Sequence, residues 1–297
     1  MSVRGELVRL GVRLLLKRPE RGASVERLRA RRRAAAAVTP RPPTDTTTTY
    51  IDANGVNAHR IATPASQGDR HILFLHGGGY ATGSPSNYRH VTWRFASAAR
   101  AVVIAPDYRL APEHPFPAAL DDAFASYRWL LANGADPRRI GILGDSAGGG
   151  LAFALLLKLR DAGLASPAAI VALSPWTDLA LTGASLRLNA RADPMINAES
   201  ASDFATCYLA GADPRAPYAS PLYGDWRKAP PALIHVGSDE VLRDDSVRMA
   251  DRLRSAGCEV ELEIWRRMPH VWHALAPILP EARRAIGRIG AFLENRL

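Results

Sequence analysis

A chain of 297 residues, 47% of them hydrophobic, can bury one large core or two small ones, which excludes general disorder. The net charge of +9 is confined to residues 1–41, where twelve Lys and Arg face three Glu, while the rest of the chain holds 26 basic and 26 acidic residues. That balance excludes a basic nucleic-acid face spread over the fold, and no run of about 18 apolar residues offers a transmembrane helix.

In the basic arm, Val3, Leu7, Leu10 and Leu14 recur at spacings of four, three and four, one face of an amphipathic helix. The expectation is a docked capping helix with its basic side in solvent; the alternative is contact with anionic lipid at a membrane surface. Glu6, Arg9 and Arg13 interrupt every apolar run before it reaches the length of a signal-peptide core. A cytoplasmic location is therefore expected, and Cys207 and Cys258, which lack CxxC spacing, fit a reducing compartment.

Beyond the arm, TPRPPTDTTTTY (39–50) reads as an extended connection, and residues 50–63 as a hairpin turning at Asn54-Gly55. Apolar runs follow at ILFLH (72–76), AVVIAPD (101–107), IGILGD (140–145), AAIVALSP (168–175), ALIHVGSD (232–239) and VELEIW (260–265). Helical stretches around 117–133, 147–162, 241–256 and 281–296 alternate with them. Continuous apolar strands separated by helices predict a mostly parallel sheet covered on both faces, the α/β class. The stretch between Trp176 and Pro230 is far longer than a crossover needs, and predicts an inserted helical cap. The expected division is an N-terminal cap segment over 1–45, a core over 46–177 and 228–297, and an inserted cap segment over 178–227.

The segment HILFLHGGGY (71–80) places three glycines after a strand, where bare backbone approaches a ligand or aims its N–H groups at negative charge. The dinucleotide fingerprint fails, because Thr82 stands where the third glycine belongs counting from Gly77, and Tyr80 where the second belongs counting from Gly78. The phosphate-binding loop of nucleotide hydrolases fails too: Gly78 and Gly83 have its spacing, but Ser84 and Pro85 replace the lysine and hydroxyl residue.

A third reading finds support at Gly144-Asp145-Ser146-Ala147-Gly148, which follows an apolar strand and precedes a helical run. Small flanking residues let the chain turn sharply enough to lift a serine hydroxyl out at the sheet edge. Serine becomes a nucleophile when a base takes its proton and an acid orients the base, here in the order serine, acid, histidine. Asp239, first after the strand ALIHVGS, is the expected acid, with Glu240, Asp244 and Asp245 as competitors in the same loop. His270, directly after Met-Pro, is the expected base, with His273 as its rival, and His76 is expected to hold the glycine loop. No Cys or carboxylate cluster accompanies the histidines, so neither a metal nor another cofactor is expected.

HGGGY (76–80), DYRLAPEHPFPAALDD (107–122), GDSAGGG (144–150), SDEVLRDD (238–245) and MPHVWH (268–273) together resemble the bacterial hormone-sensitive-lipase-like carboxylesterases, of α/β-hydrolase fold. The resemblance covers residue 70 to the C-terminus. It implies hydrolysis of esters with short to medium acyl chains under a cap, with Ser146 as nucleophile, His270 as base and Asp239 as its orienting acid. It further implies an oxyanion hole formed by the N–H groups of Gly78, Gly79 and Ala147, where a side chain on either glycine is expected to cut turnover far more than stability. Tyr80 and Trp176 are expected to line the substrate pocket.

Many relatives read Asp-Pro-Leu at the acid and His-Gly-Phe at the base, whereas this chain reads Asp-Glu-Val and His-Val-Trp. With SPWTDLALTG (174–183), that variant is similar to members that hydrolyse lactones or acetyl esters. Lactone, acetyl-ester or amide hydrolysis by the same triad is therefore the first rival reading, and a non-catalytic ligand-binding protein on this fold a remote one. The expected partner is a small ester rather than nucleic acid, and a homodimer is compatible with the sequence.

Overall fold

The structure is a computed structural model that describes residues 3–16 and 24–297. Eight strands form one sheet: β1 (Thr47–Asp52), β2 (Asn57–Ala62), β3 (Gln67–Leu75), β4 (Ala101–Pro106), β5 (Ile140–Asp145), β6 (Ala169–Leu173), β7 (Ala232–Gly237) and β8 (Val260–Trp265). Their spatial order is β1-β2-β4-β3-β5-β6-β7-β8. The β1–β2 hairpin turns at Asn54-Gly55, both at positive φ, and β2 runs antiparallel to β4; every other pairing is parallel.

The inner strands are apolar throughout because both faces are covered. Leu73 and Leu75 of β3 enter one core while Ile72 and Phe74 enter the other, and Ile170 and Val171 of β6 divide in the same way. Each such side chain contributes about 1.5–3 kcal/mol relative to leaving it in water. Helices α3 (Arg89–Ala98) and α9 (Pro280–Glu294) pack together on one face. The other face carries α4 (Ala118–Ala132), α5 (Ala147–Asp161) and α8 (Arg243–Ser255). Of these, α3 lies outside the helices read from the sequence; its buried Val91, Thr92, Phe95 and Ala96 form a short stripe in a segment rich in polar residues.

Two further groups of helices lie at the carboxyl edge of the sheet. Between β6 and β7 the chain forms α6 (Ser185–Leu188) and α7 (Ala198–Leu209), and the N-terminal arm forms α1 (Val3–Leu16) and α2 (Val25–Val38). The motif DYRLAPEHPFPAALDD serves this architecture: Arg109 grips Asp122 in a bidentate fork, and Glu113 receives both terminal nitrogens of Arg29 from α2. Arg29 also donates to the carbonyls of Ala81 and Ala111, and Asn87 Nδ2 donates to Arg32 O at 2.8 Å, which together hold α2 to the core.

The amphipathic expectation for α1 is corrected in its orientation. Leu7, Leu10 and Leu14 are 66%, 54% and 63% exposed, while Gly5 is buried and Arg9 faces the body; the Val3 side chain lies outside the described residues. The inner face is chosen by hydrogen bonding rather than by hydrophobicity. Arg9 Nη2 donates to the Ala192 carbonyl at 2.6 Å and to Asp239 at 2.7 Å.

Candidate active site

Ser146 caps β5 and opens α5 with φ +54° and ψ −121°, a conformation that costs a residue with a side chain about 1–3 kcal/mol and persists because its surroundings fix it. Its N–H donates to Leu173 O at 2.9 Å and its carbonyl accepts from Trp176 N at 2.9 Å. The turn closes tightly because a Cβ on Gly144 would lie 2.1 Å from the Gly148 carbonyl oxygen, and one on Gly148 2.0 Å from that of Leu75. Within an otherwise buried run, Ser146 stays partly accessible.

Asp145 braces this turn against the glycine loop. Its carboxylate accepts from Gly77 N at 2.9 Å and from the Tyr88 hydroxyl at 2.8 Å. Complete burial raises its pKa to about 6 despite those two donors. On the far side of the loop, His76 Nδ1–H donates to Gly77 O at 2.9 Å and the ring stacks on Tyr108, whose hydroxyl donates to His76 O at 2.6 Å. Burial takes the His76 pKa down to about 4, so it is neutral and holds the loop.

Gly78 and Gly79 follow with φ +134° and +64°. The Gly78 carbonyl is occupied by Thr82, while among the described residues nothing accepts a hydrogen bond from the amides of Gly78, Gly79 or Ala147. The Ala147 amide is one of the unpaired donors of the first turn of α5, where the helix dipole adds positive potential. A Cβ on Gly78 would lie 2.0 Å from the Thr82 carbonyl oxygen, whereas one on Gly79 would meet the Phe204 ring of α7 at 2.7 Å.

His270 is 6% exposed and pairs through Nδ1 with Glu240 Oε2 at 2.7 Å. The other carboxylate oxygen of Glu240 accepts from Gly237 N at 2.6 Å and from the Ser174 hydroxyl at 2.7 Å, and Val271 N reaches Ser174 Oγ at 3.3 Å. Ser174 directly follows Leu173, whose carbonyl accepts from Ser146 N, so the His270–Glu240 pair is tied to the same end of β6 that anchors the Ser146 turn. Burial opposes protonation of His270, but the hydrogen bond and charge of Glu240, with Asp193 and Asp145 further off, outweigh it and raise the pKa above the ordinary imidazole value.

The structure does not bring Asp239 to this histidine. Residues 238 and 239 form a turn after β7, which points Asp239 outward to Arg9 and the Ser238 hydroxyl, 2.7 Å from each. Glu240 comes after the turn, back over the strand end, and its longer side chain spans the remaining gap. His273, the rival base, turns its Nε2 to His235 Nδ1 at 3.1 Å; its pKa is driven well below the imidazole range by burial, with the charges of His235 and His270 adding to it.

Tyr80 and Trp176 are 1% and 3% exposed, and Tyr80 stacks on Tyr208 of α7 with ring centroids 3.8 Å apart. Tyr80 thereby packs against α7, and Trp176 lies behind it with ring centroids 6.1 Å apart. Phe204, half-buried on α7 and against Gly79, is the aromatic at the glycine loop; no periodicity in the insertion singled it out. Asp193 also escaped the sequence reading. It is fully buried and accepts from Met195 N, Ile196 N and Val241 N, tying the insertion to the residue after Glu240. Among the described residues, no three His, Cys, Asp or Glu side chains converge as a metal site.

A family model described as the alpha/beta hydrolase fold matches residues 72–274, and with the sheet order it defines the class of this protein. Among curated relatives, an acetyl-hydrolase of Streptomyces hygroscopicus is 50% identical over 232 residues, 78% of each chain. The carboxylesterase/phospholipase LipF of Mycobacterium tuberculosis is 34% identical over 266 residues, 86% of this chain and 71% of that one. The crystal structure of an esterase from the bacterial hormone-sensitive lipase family superposes with a TM-score of 0.95 at 44% identity, covering 100% of this chain and 99% of that one. The chain belongs to the bacterial hormone-sensitive-lipase-like carboxylesterases and is a carboxylic ester hydrolase. Among the described residues no helix is long and apolar enough to cross a membrane.

Proposed function

We propose that the enzyme cleaves short- to medium-chain acyl esters through Ser146, His270 and Glu240, with the amides of Gly78, Gly79 and Ala147 as the oxyanion hole. The observation that carries the reading is the buried His270–Glu240 pair beside the strained Ser146 turn. Glu240 holds Nδ1–H and leaves Nε2 to take the Ser146 proton as the hydroxyl oxygen attacks the ester carbonyl. The carbonyl π electrons move onto oxygen, where the three amides receive the negative charge; each is worth about 2.7–4 kcal/mol of barrier. Collapse expels the alcohol, which takes the proton from Nε2 and leaves an acyl-Ser146 ester. Water, deprotonated by the same nitrogen, repeats the addition and releases the acid.

The helices α1, α2, α6 and α7 act as a cap in two segments, 1–45 and 178–227, over a catalytic core of 46–177 and 228–297. Arg9 links the first segment to the loop after β7, Asp193 links the second, and Phe204 of α7 packs against Gly79. The relative named acetyl-hydrolase favours a second reading, in which the preferred acyl group is acetyl, carried by an ester or an amide. Release of p-nitrophenol from esters of increasing acyl length tests both readings, and Ser146→Ala is expected to abolish the burst. A retained burst would overturn the mechanism, and sedimentation velocity decides whether the enzyme is a monomer or a homodimer.

A further inference from the structure

The outward face of α1 has no role in the hydrolytic site, yet it carries three of the large apolar side chains most exposed in the structure. We infer that α1 is a membrane-surface anchor whose Leu7-Leu10-Leu14 face seats in an anionic lipid bilayer. The inference goes beyond the catalytic reading and does not depend on it.

The helix has two distinct sides. The inner side is committed: Gly5 is buried, and Arg9 is bonded to Ala192 O and Asp239. The outer side presents leucines at spacings of three and four, a contiguous ridge along one face. Glu6, the only acid in α1, is cancelled by Arg267 of the core, with Arg267 Nε 3.0 Å from Glu6 Oε1. Arg13 is exposed on the same helix, and Arg27 and Arg33 are exposed on α2, whose last residue, Val38, is 84% exposed. An exposed apolar ridge with an arginine beside it, on an arm rich in basic residues, is the pattern of helices that lie in the headgroup region of a bilayer.

Charge complementarity selects the occupant. Residues 1–41 carry the whole net charge of +9, while the remainder of the chain is neutral. A second copy meeting this face about a two-fold axis would bring two such arms together, whereas an anionic bilayer is attracted to the arginines as it buries the leucines. Because Arg9 fixes the inner side of α1 to the residue preceding Glu240, the anchor would hold the carboxyl edge of the sheet, and the catalytic serine with it, close to the lipid surface.

Flotation of the full chain with vesicles of phosphatidylcholine alone, or mixed with phosphatidylglycerol, tests this. Binding is expected to the mixed vesicles, to weaken as salt is raised, and to fall at least about tenfold in L7Q/L10Q/L14Q. Hydrolysis of a soluble p-nitrophenyl ester by that variant is expected to be unchanged, since its inner face is intact. The single variant L10Q, expected to lose part of the binding, keeps the test readable if the triple variant does not accumulate. Absence of flotation, equal binding to both vesicle types, or undiminished binding by the leucine variants would overturn the inference. So would a dimer in sedimentation velocity that L7Q/L10Q/L14Q dissociates, which would mean that a second copy covers the ridge.

Discussion

The loop after β5 and the loop after β7 both supply the proposed catalytic centre, but they are built on different constraints. The first is defined by its backbone: Ser146 sits at φ +54° between glycines with no room for a Cβ. The second is defined by side-chain reach. Two adjacent carboxylates end β7, and a turn sends Asp239 to Arg9 and Glu240 to His270. A backbone constraint leaves a mark in residue type that can be read along the chain, whereas a choice between neighbouring carboxylates is made by direction in space.

That contrast is open to experiment, beginning where the largest effect is expected. In the loop after β5, Gly144→Ala forces a Cβ to within 2.1 Å of the Gly148 carbonyl oxygen, a backbone atom that cannot swing away. A loss of about 3–5 kcal/mol is expected, read as a fall in Tm on the order of 10 °C or as failure to accumulate folded protein.

The glycine loop separates stability from turnover at one position and not at the other. Gly78→Ala meets the Thr82 carbonyl at a φ only glycine adopts freely, so stability and activity are expected to fall together, against the expectation from sequence. Gly79→Ala meets only the Phe204 ring, which can shift, and φ +64° costs about 1–2 kcal/mol. For Gly79→Ala, kcat is expected to drop at least about tenfold while Tm falls by only a few degrees, measured by steady-state kinetics and thermal unfolding.

The pH profile probes the loop after β7. His270 acts as a base only when neutral, and the Glu240 carboxylate favours its protonated form. Activity should therefore rise with pH through a midpoint above the ordinary imidazole value of about 6.5. In Glu240→Gln the residual activity should show that midpoint moved to lower pH, because the charge that holds the proton is gone; an unmoved limb would assign the titration elsewhere.

The fold was largely legible because strands buried on both faces must be apolar throughout, and the six long runs each correspond to a strand. Ser146 and His270 stand where spacing and strand context put them. The carboxylate that pairs with His270 was not legible, since Asp239 and Glu240 are both carboxylates in one acidic loop and only the turn at 238–239 separates them. Nor was the direction of α1: periodicity identifies a leucine face but not which side the rest of the protein binds, and here the Arg9 bonds decide against burying the leucines.

The most direct test sets the two carboxylates against each other. Measured as kcat/KM on one soluble p-nitrophenyl ester, Glu240→Gln is expected to lose about 10²–10⁴-fold, the scale of losing the acid that orients a catalytic histidine. Asp239→Asn, which gives up the ion pair with Arg9, is expected to stay within about threefold of the parent enzyme. The reverse ranking, with Asp239→Asn crippled and Glu240→Gln active, would contradict the account.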